Sequence, residues 1–332
     1  MSSAGASGDT ARVWALHLAV IALLFAAQYV LPDYHNGVAA RVMVLAVFAM
    51  GYNILFGYTG LLSLGHAMFF AAGLYGAGLP IYHFGVHVVP AFGFGIVCGA
   101  VLALAVGALA LRTTGVAFMI VTLMFAQVAY LMSLWMGDWT RGDEGLTLSR
   151  PERIIEESWI FIDMTNRDTR FVLAWLLFSI VLVVTLVIAR SRFGRVLVAV
   201  RENEERTRML GFDTFANKLS AVVISGTISA TAGAAYVLLF GYMGSSFASI
   251  QYSILPLLWV LLGGAATTLG PLIGTFAMFY LAEISNDALN TWFPGSNLSQ
   301  IGIVGVALIL LVLFFPKGIL GTIRERWLKW LP

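Results

Sequence analysis

Side chains able to do covalent chemistry are few in this sequence, and they do not form a catalytic set. The five histidines are spread along the chain, and only His83 and His87 are close enough in sequence to suggest shared ligation of a metal. Cys98 is the single cysteine, which excludes an intramolecular disulfide and a cysteine-based metal site. No G-x-x-x-x-G-K-[ST] run is present, so the chain has no phosphate-binding loop of its own. The sequence predicts no metal site, no cofactor bound by this chain and no enzyme.

Glycine and small polar residues interrupt the apolar sequence at two places, 51–66 and 263–270. Glycines permit helix breaks, and Thr59, Ser63 and His66 carry polar groups that are costly in a membrane unless they face partners or water. Broken helices bind small charged solutes in many transporters, whereas small residues also serve close helix packing, and both interpretations stay open. The candidates for helix breaks and a translocation path are Thr59, Gly60, Ser63, Gly65, His66, Gly263, Gly264, Thr267 and Gly270.

A third candidate is the charged segment 190–217, which is rich in residues that favour helix. Seven Lys and Arg residues lie between positions 190 and 218. The segment is longer than a simple connection needs, and Gly211 is typical of a helix end. We therefore expect a helix that ends at Gly211 and docks to a soluble partner. A charged loop that only sets the membrane topology is the alternative.

These segments belong to an unusually apolar chain. Of its 332 residues, 60% are hydrophobic and only 11% are charged, whereas a soluble domain carries roughly 25% charged residues. Between 42 and 137 the only formal charge is Arg112. The apolar runs are long and continuous, as in membrane helices of about 20 residues, and lack the alternation of a β-barrel. The sequence predicts an all-α integral membrane protein with about 8–10 transmembrane helices and broken or re-entrant segments.

The distribution of Lys and Arg predicts the orientation of these helices. The predicted crossings are 13–31, 38–56, 61–82, 88–111, 115–136, 170–189, 218–240, a broken stretch 254–283, and 301–316. The predicted regions are a cytoplasmic tail 1–12, a transmembrane domain 13–316 with 137–170 outside and 190–217 inside, and a cytoplasmic tail 317–332. Both basic regions reach the cytoplasm only if 254–283 breaks near Gly263-Gly264. The first ten residues resemble a disordered tail, and a retained first span is favoured over a cleaved signal peptide.

The predicted outer loop 137–170 carries mixed charge, with five Arg against eight acidic residues. Complementary charge of this kind would suit the docking of a soluble partner. A solvated connection between two spans explains the same composition equally well, and both interpretations stay open.

Four motifs together resemble the LivM-type permeases of branched-chain amino acid importers of the ATP-binding-cassette class. The run 57–70, GYTGLLSLGHAMFF, is similar to the family signature G-Y-T-G-x-L-S-L-G-H-A-x-F-F. The run 263–274 resembles G-G-x-G-T-x-x-G-P-x-x-G, with Ala266 in place of a glycine, and 140–146 resembles T-G-G-x-x-G-L, with Arg141 in place of a glycine. The segment 193–219 is similar to the family's cytoplasmic coupling loop, although both alanines of its E-A-A-x-x-x-G motif are replaced.

The resemblance implies a subunit of the bacterial inner membrane that pairs with a second, related permease. It also implies two cytoplasmic ATPase subunits that use the ATP, a periplasmic substrate-binding protein, contact with membrane lipid and no nucleic acid. The substrate class would be branched-chain or related amino acids. The residues that would couple to the ATPase are Arg195, Arg201, Glu202, Asn203, Glu204, Glu205 and Gly211.

Two alternatives remain open at this point. Permeases of the same scaffold carry urea or short amides, and a fold does not determine its substrate. A self-contained secondary transporter is an alternative of another class, but it needs buried ionisable residues in the middle of its spans, and the apolar runs hold almost none.

Overall fold

The computed structural model describes residues 3–157, 160–292, 305–306, 309, 313 and 317–326, and these residues are mainly α-helical. The helices are α1 Ser3–Val30, α2 Asp33–Asn53, α3 Ala67–Phe84, α4 Val88–Ala110, α5 Val116–Trp135, α6 Gly137–Thr140, α7 Arg167–Arg190, α8 Arg192–Glu202, α9 Glu204–Met209, α10 Thr214–Phe240, α11 Ile250–Gly263, α12 Gly270–Trp292 and α13 Gly318–Arg326. A wider π-helical turn, Ile54–Tyr58, continues α2. The short strands are β1 Leu146–Thr147, β2 Ile154–Glu157, β3 Ile160–Asp163 and β4 Tyr242–Met243.

Six helices within the described residues are long and apolar enough to cross a membrane. They are Ala11–Val30, Asp33–Tyr58, Val88–Ala110, Val116–Trp135, Arg167–Arg190 and Thr214–Phe240. Helix α3 and the two apolar helices α11 and α12 fall outside this set. Helices α11 and α12 correspond to the predicted broken stretch 254–283. The all-α membrane class is therefore confirmed. The predicted span 301–316 lies outside the described residues, apart from 305–306, 309 and 313.

Helix α2 lies at the centre of the bundle. Its residues from Val42 to Asn53 are all buried, and α7, α10, α11 and α12 pack around it. Helix α10 in turn packs against α3 and α4 through small residues: a methyl group at Gly233 would overlap the carbonyl of Phe70, and one at Gly73 would overlap that of Ala230. Backbones can approach this closely only where side chains are absent. Each of α4, α5 and α7 also has a face of exposed large apolar side chains, as a lipid-facing surface requires.

Several predicted boundaries were wrong. The third span begins at Ala67 rather than at 61, because residues 59–66 form an irregular loop after the π-helical turn. The N-terminal residues from Ser3 belong to α1 rather than to a disordered tail. The charged segment 190–217 contains two helices instead of one, because Asn203 has extended backbone angles and caps α9 with its side chain. The predicted break at Gly263-Gly264 is confirmed, since α11 ends there and α12 begins at Gly270.

The loop 137–170 contains structure that the sequence did not predict. Strands β2 and β3 form an antiparallel hairpin, with Ile155 opposite Ile162. Strand β1 pairs with β4, so that Leu146 lies opposite Met243 just after the end of α10. This loop therefore packs on one end of the bundle, and α8 and α9 lie at the start of α10, which is the opposite end. Which end faces the cytoplasm stays a prediction.

We expect the α3–α10 contact to tolerate no added side chain. The change Gly233→Val should lower the free energy of unfolding by about 1–3 kcal/mol, because the new side chain must displace the backbone of α3. The matched control is Gly93→Val on α4, where no heavy atom lies within 4 Å of an added methyl group. Thermal unfolding of the detergent-purified protein measures both, and equal midpoints would contradict the packing described here.

Candidate functional site

The first helix break connects the π-helical turn to α3. Its start is held locally: the hydroxyl of Thr59 donates to the carbonyl of Ile54 at 2.9 Å, and the amide of Leu61 donates to the carbonyl of Leu55 at 3.1 Å. Gly60 has a φ of +76°, a conformation that residues with a side chain rarely adopt. The break is therefore a defined turn whose backbone groups are bonded within the protein.

The second part of this break is buried and bonded to helices around it. The phenol of Tyr52 donates to the carbonyl of Ser63 at 3.0 Å, and the amide of Ala67, the first residue of α3, donates to the hydroxyl of Ser253 on α11 at 2.9 Å. His66 is completely buried, and its Nε2 lies 2.9 Å from the hydroxyl of Ser225 on α10. Neighbouring elements thus satisfy the polar groups where the helix is interrupted.

The hydrogen bonds around Ser225 determine the tautomer of His66. The Ser225 hydroxyl has one hydrogen, which it donates to the carbonyl of Gly51, so it accepts from Nε2–H of His66. The Nδ1 atom of His66 has no hydrogen-bond partner among the described residues. His66 is therefore a neutral donor that holds the break against α10, rather than a charged group.

The second break, between α11 and α12, is a tight helical hairpin. Gly264 and Ala266 both have positive φ, at 116° and 57°, and the hydroxyl of Thr267 donates to the carbonyl of Gly264 at 2.7 Å. A methyl group at Gly263 would overlap the carbonyl of Gly270, so the two helices approach through their backbones. The sequence Gly-Gly followed by small residues permits this turn, because larger side chains would clash.

The side chain of Asn53 joins the two breaks. Its Nδ2 donates to the carbonyl of Thr267 at 2.9 Å, and its Oδ1 accepts from the amide of Ala266 at 3.0 Å. Asn53 is 3% exposed, and a methyl group at Gly57 would overlap its Oδ1. One buried amide at the end of α2 therefore satisfies a donor and an acceptor of the other break, which lies more than 200 residues away in the sequence.

Helix α8 contacts the first break directly. The guanidinium of Arg201 donates through Nη1 to the carbonyl of Gly57, and its aliphatic stem lies over Gly60, where an added methyl group would be 2.8 Å from its Cγ. Gly57 lies four residues after Asn53, in the π-helical turn that continues α2. A displacement of α8 would therefore act on the carbonyl that lies beside the Asn53 amide.

Helix α9 is anchored to the start of α10 by an ion pair. Glu204 lies 2.7 Å from Lys218, whose side chain is 7% exposed, and 3.3 Å from Arg208. Partial burial raises the pKa of the Glu204 carboxyl, but the hydrogen bond and charge of Lys218, with Thr214 and Arg208, outweigh it and hold that pKa below its ordinary value. The carboxylate is therefore ionised at neutral pH and fixes α9 on the bundle.

Helix α13 contacts the second break in a comparable way. Gly318 packs against Gly264, where an added methyl group would lie 2.5 Å from the Gly264 nitrogen. The Nη1 atom of Arg324 donates to the carbonyl of Ala266 at 3.4 Å. Each break is thus bonded through a backbone carbonyl to an arginine of a polar helix at the same end of the molecule.

The predicted site residues fall into two groups. Thr59, Ser63, His66 and Thr267 are buried and hydrogen-bonded within the chain, and Gly60, Gly65, Gly263, Gly264 and Gly270 make close turns or backbone contacts around them. In the polar segment, Arg195, Glu202 and Glu205 are exposed, Arg201, Asn203 and Glu204 make the contacts described above, and Gly211 ends the segment at a φ of +89°. Lining of a translocation path and coupling to an ATPase stay predictions for these residues.

The sequence did not predict the residues that bond the two helix breaks to each other and to neighbouring helices. Asn53 lies inside the interrupted stretch 51–66, and a polar amide in an apolar run is a signal that could have singled it out. Ser225, Ser253 and Arg324 gave no comparable signal, since their partners lie far away in the sequence. Among the described residues, no cluster of His, Cys, Asp or Glu is suited to hold a metal ion.

Long apolar helices packed around two interrupted ones, with polar helices bonded to both interruptions, define the class of this protein: a polytopic membrane transport subunit. Comparison with known families identifies it further. Residues 35–315 match the family described as "Branched-chain amino acid transport system / permease component", and the chain belongs to that family. It is a multi-pass protein of the bacterial inner membrane and one component of a larger transport system.

Individual relatives are distant. The chain is 23% identical to the "High-affinity branched-chain amino acid transport system permease protein LivM" of Salmonella typhimurium, over 96% of this chain and 77% of the relative. It is 29% identical to the "Probable branched-chain amino acid transport permease protein LivM" of Methanocaldococcus jannaschii, over 45% and 46% of the two chains. It is 28% identical to the "Autoinducer 2 import system permease protein LsrC" of Photorhabdus laumondii, over 34% and 35%. No solved structure gives a significant match.

We expect Asn53 to be essential to the stability of the two breaks. The change Asn53→Leu removes both hydrogen bonds and leaves the Thr267 carbonyl and the Ala266 amide without partners, at a cost of about 1–3 kcal/mol for each unsatisfied group. The control is Asn217→Leu, because the Asn217 amide bonds only the exposed carbonyl of Asp213 at the start of α10. Thermal unfolding in detergent compares the two variants; a loss no larger for Asn53 than for Asn217 would contradict this role.

Proposed function

We propose that this chain is the membrane-spanning subunit of an ATP-binding-cassette importer for branched-chain or related amino acids. It contributes the translocation path, and separate ATPase subunits supply the energy, so the chain itself is not an enzyme. The observation that carries the proposal is the bond between Arg201 and the carbonyl of Gly57, which joins the polar segment to the first helix break. Membership of the permease family supports the substrate class.

The polar segment offers a surface for an ATPase subunit. From the last residue of α9 to the first turn of α10, four apolar side chains lie at the surface beside exposed arginines: Met209, Leu210, Phe212 and Phe215. Met209 is 85% exposed and Leu210 is 71% exposed, although both belong to a charged segment that is expected in the cytoplasm. Exposed apolar groups in such a cluster are typical of a protein interface. A cleft of an ATPase subunit would cover them and hold α8 and α9 as a lever.

Movement of this lever would reach both breaks. A shift of α8 acts on Gly57 through Arg201, Gly57 packs on Asn53, and Asn53 bonds Ala266 and Thr267 in the other break. ATP binding would thereby select between arrangements of the two breaks. The substrate must bind these arrangements with different affinity, since otherwise no net transport results.

The remaining partners follow from the same proposal. A second, related permease would complete the path, and a substrate-binding protein would dock at the opposite end of the bundle from α8. The folded loop 137–166 supports that docking site, because its hairpin and the β1–β4 pair hold charged residues on a defined framework. A permease for urea or short amides is the second candidate. One relative of this chain is named for the import of autoinducer 2, so related permeases are not all named for branched-chain amino acids.

The substrate class is tested by uptake into proteoliposomes that contain the complete importer with its ATPase subunits and binding protein. We expect ATP-dependent uptake of labelled leucine that unlabelled leucine and valine reduce strongly and urea does not. The extent to which phenylalanine reduces leucine uptake measures how broad the substrate specificity is. ATP-dependent uptake of labelled urea, with no uptake of labelled leucine, would instead establish the second candidate.

Coupling is tested by removing the Arg201 contact. We expect Arg201→Ala to reduce ATP-dependent leucine uptake by about tenfold or more, because a bond to a charged donor contributes about 1.5–3 kcal/mol. ATP hydrolysis by the partner subunits should continue, so the ratio of substrate moved to ATP used falls.

The matched control is Arg192→Ala, which removes an exposed arginine from the first turn of the same helix. Its uptake should stay within about twofold of the wild type, as for most surface changes. Equal ratios of uptake to hydrolysis in the wild type and in Arg201→Ala would refute the coupling role.

A further inference from the structure

Three arginines converge at the end of α10 that lies away from α8. The Cζ atoms of Arg41 on α2 and Arg170 on α7 lie 5.2 and 5.6 Å from the ring centroid of Phe240. The Nη1 atom of Arg153 donates to the carbonyl of Leu239 at 3.4 Å, and its guanidinium packs on Gly241. Elements distant in the sequence thus bring three positive charges around one aromatic residue.

None of these three arginines forms an ion pair within the described part of the chain. The carboxylates of Asp163 and Asp33 form ion pairs with other arginines, and none lies within 4.0 Å of the three. The Nε atoms of Arg153 and Arg170 are buried and have no hydrogen-bond partner there. Burial lowers the pKa of Arg153 and the nearby charge of Arg170 lowers it further, whereas the carboxylates of Asp163 and Glu152 act in the opposite direction.

A purely structural explanation covers only part of this arrangement. An arginine at the end of a helix can bond its last carbonyls, and Arg153 does so at Leu239. Arg41 bonds no carbonyl among the described residues; it lies two turns into the membrane helix α2, about 12 Å from its start. Arg41 is exposed, whereas the residues that follow it in α2, from Val42 to Asn53, are buried. A charged side chain within a segment that can span a membrane is costly without a partner or water, and it indicates a functional site.

Aromatic side chains pack beside the arginines; Tyr236 and Phe247 are buried, and Phe240 and Tyr252 are half-buried. The rings of Tyr236 and Phe240 lie 4.8 Å apart, those of Tyr236 and Phe247 5.0 Å apart, and those of Phe247 and Tyr252 5.1 Å apart. A guanidinium recognises a carboxylate by charge and by paired hydrogen bonds, and an aromatic wall favours an apolar side chain. A hydrophobic amino acid carries both groups on neighbouring atoms.

We infer that Arg41, Arg153 and Arg170 form a receiving site for the α-carboxylate of the transported amino acid, with the half-buried ring of Phe240 as the contact for the apolar side chain. The inference rests on the proposed function and adds a position for substrate recognition within it. The site lies at the opposite end of α10 from the coupling contacts, where substrate released by a binding protein would first meet this subunit.

An anionic lipid is the other source of a group that three arginines would bind. An apolar groove of about 260 Å³ lies nearby, between α4, α7 and α10, and Leu239 and Ile155 are among its lining residues. A phosphate of a lipid whose acyl chain occupied this groove would reach the same arginines. The experiment therefore compares membranes with and without anionic lipid.

The test uses the complete importer in proteoliposomes and measures the concentration dependence of leucine uptake together with ATP hydrolysis. We expect Arg41→Gln and Arg170→Gln each to raise the KM for leucine-loaded binding protein, or to lower uptake at a fixed concentration, by about tenfold. Arg41→Lys should retain most uptake, because it keeps the charge. Hydrolysis per importer should change little, because the Arg201 contact is intact.

The matched control is Arg167→Gln, an exposed arginine in the first turn of the same helix as Arg170, whose partner is Asp33. It should import leucine as the wild type does. If Arg41→Gln and Arg170→Gln import leucine as well as the wild type and the control do, the receiving site is refuted and the proposed function stands. If the wild type imports no amino acid, the proposed function fails first.

The lipid comparison repeats these measurements in phosphatidylcholine alone and in phosphatidylcholine mixed with phosphatidylglycerol. A substrate site predicts the same defect of the two variants in both membranes. The inference is overturned if the wild type loses leucine uptake in phosphatidylcholine alone and its uptake there equals that of the variants. That result would assign the arginines to binding of anionic lipid. Thermal unfolding of each variant in detergent identifies any loss that comes from misfolding, and Arg170→Gln serves if Arg41→Gln does not fold.

Discussion

A helix that stops inside a membrane protein leaves backbone donors and acceptors that neither water nor lipid can satisfy, and this constraint organises the structure. Two interruptions occur here, and the side chain of Asn53 serves both: it belongs to the turn before the first and bonds two backbone groups of the second. Ser253 and Ser225 satisfy other groups of the first break. The two breaks therefore form one hydrogen-bonded unit, and neither can rearrange without affecting the other.

The polar helices at one end of the bundle act on this unit through arginine side chains. Arg201 of α8 bonds a carbonyl of the first break, and Arg324 of α13 bonds a carbonyl of the second. Carbonyls at such turns are accessible because glycines at positions 60, 264 and 318 leave space beside them. Under the proposed function, a partner bound to the polar segment would change the geometry of the breaks through a few short contacts, with no need for a movement of whole spans.

The charged residues are divided between the two ends of the long helices. At one end, Glu204 and Lys218 pair closely and fix α9 on the bundle, so that their charges are neutralised. At the other end, Arg41, Arg153 and Arg170 have no acidic partner among the described residues. Paired charges give a rigid attachment, whereas clustered arginines without an ion pair favour an incoming anion. This difference is the physical basis for assigning attachment to the first end and recognition to the second.

The amino-acid sequence by itself determined the class and much of the plan of this protein. Long apolar runs predict membrane helices wherever they occur, and the orientation rule required the break that Gly263 and Gly264 provide. The motif at 57–70 located the first break, although the start of α3 at Ala67 was missed. These features depend on residues close together in the chain, which is why they can be read from it.

Tertiary structure alone decided which polar groups meet. Asn53 reaches a carbonyl 214 positions away, and Ser225 lies 159 positions from His66. The three arginines around Phe240 come from a helix, a loop and another helix, and no local pattern connects them. Apolar burial is set by the composition of each segment, whereas a hydrogen bond requires two particular atoms within about 3 Å, and only the packing of the whole bundle brings them together.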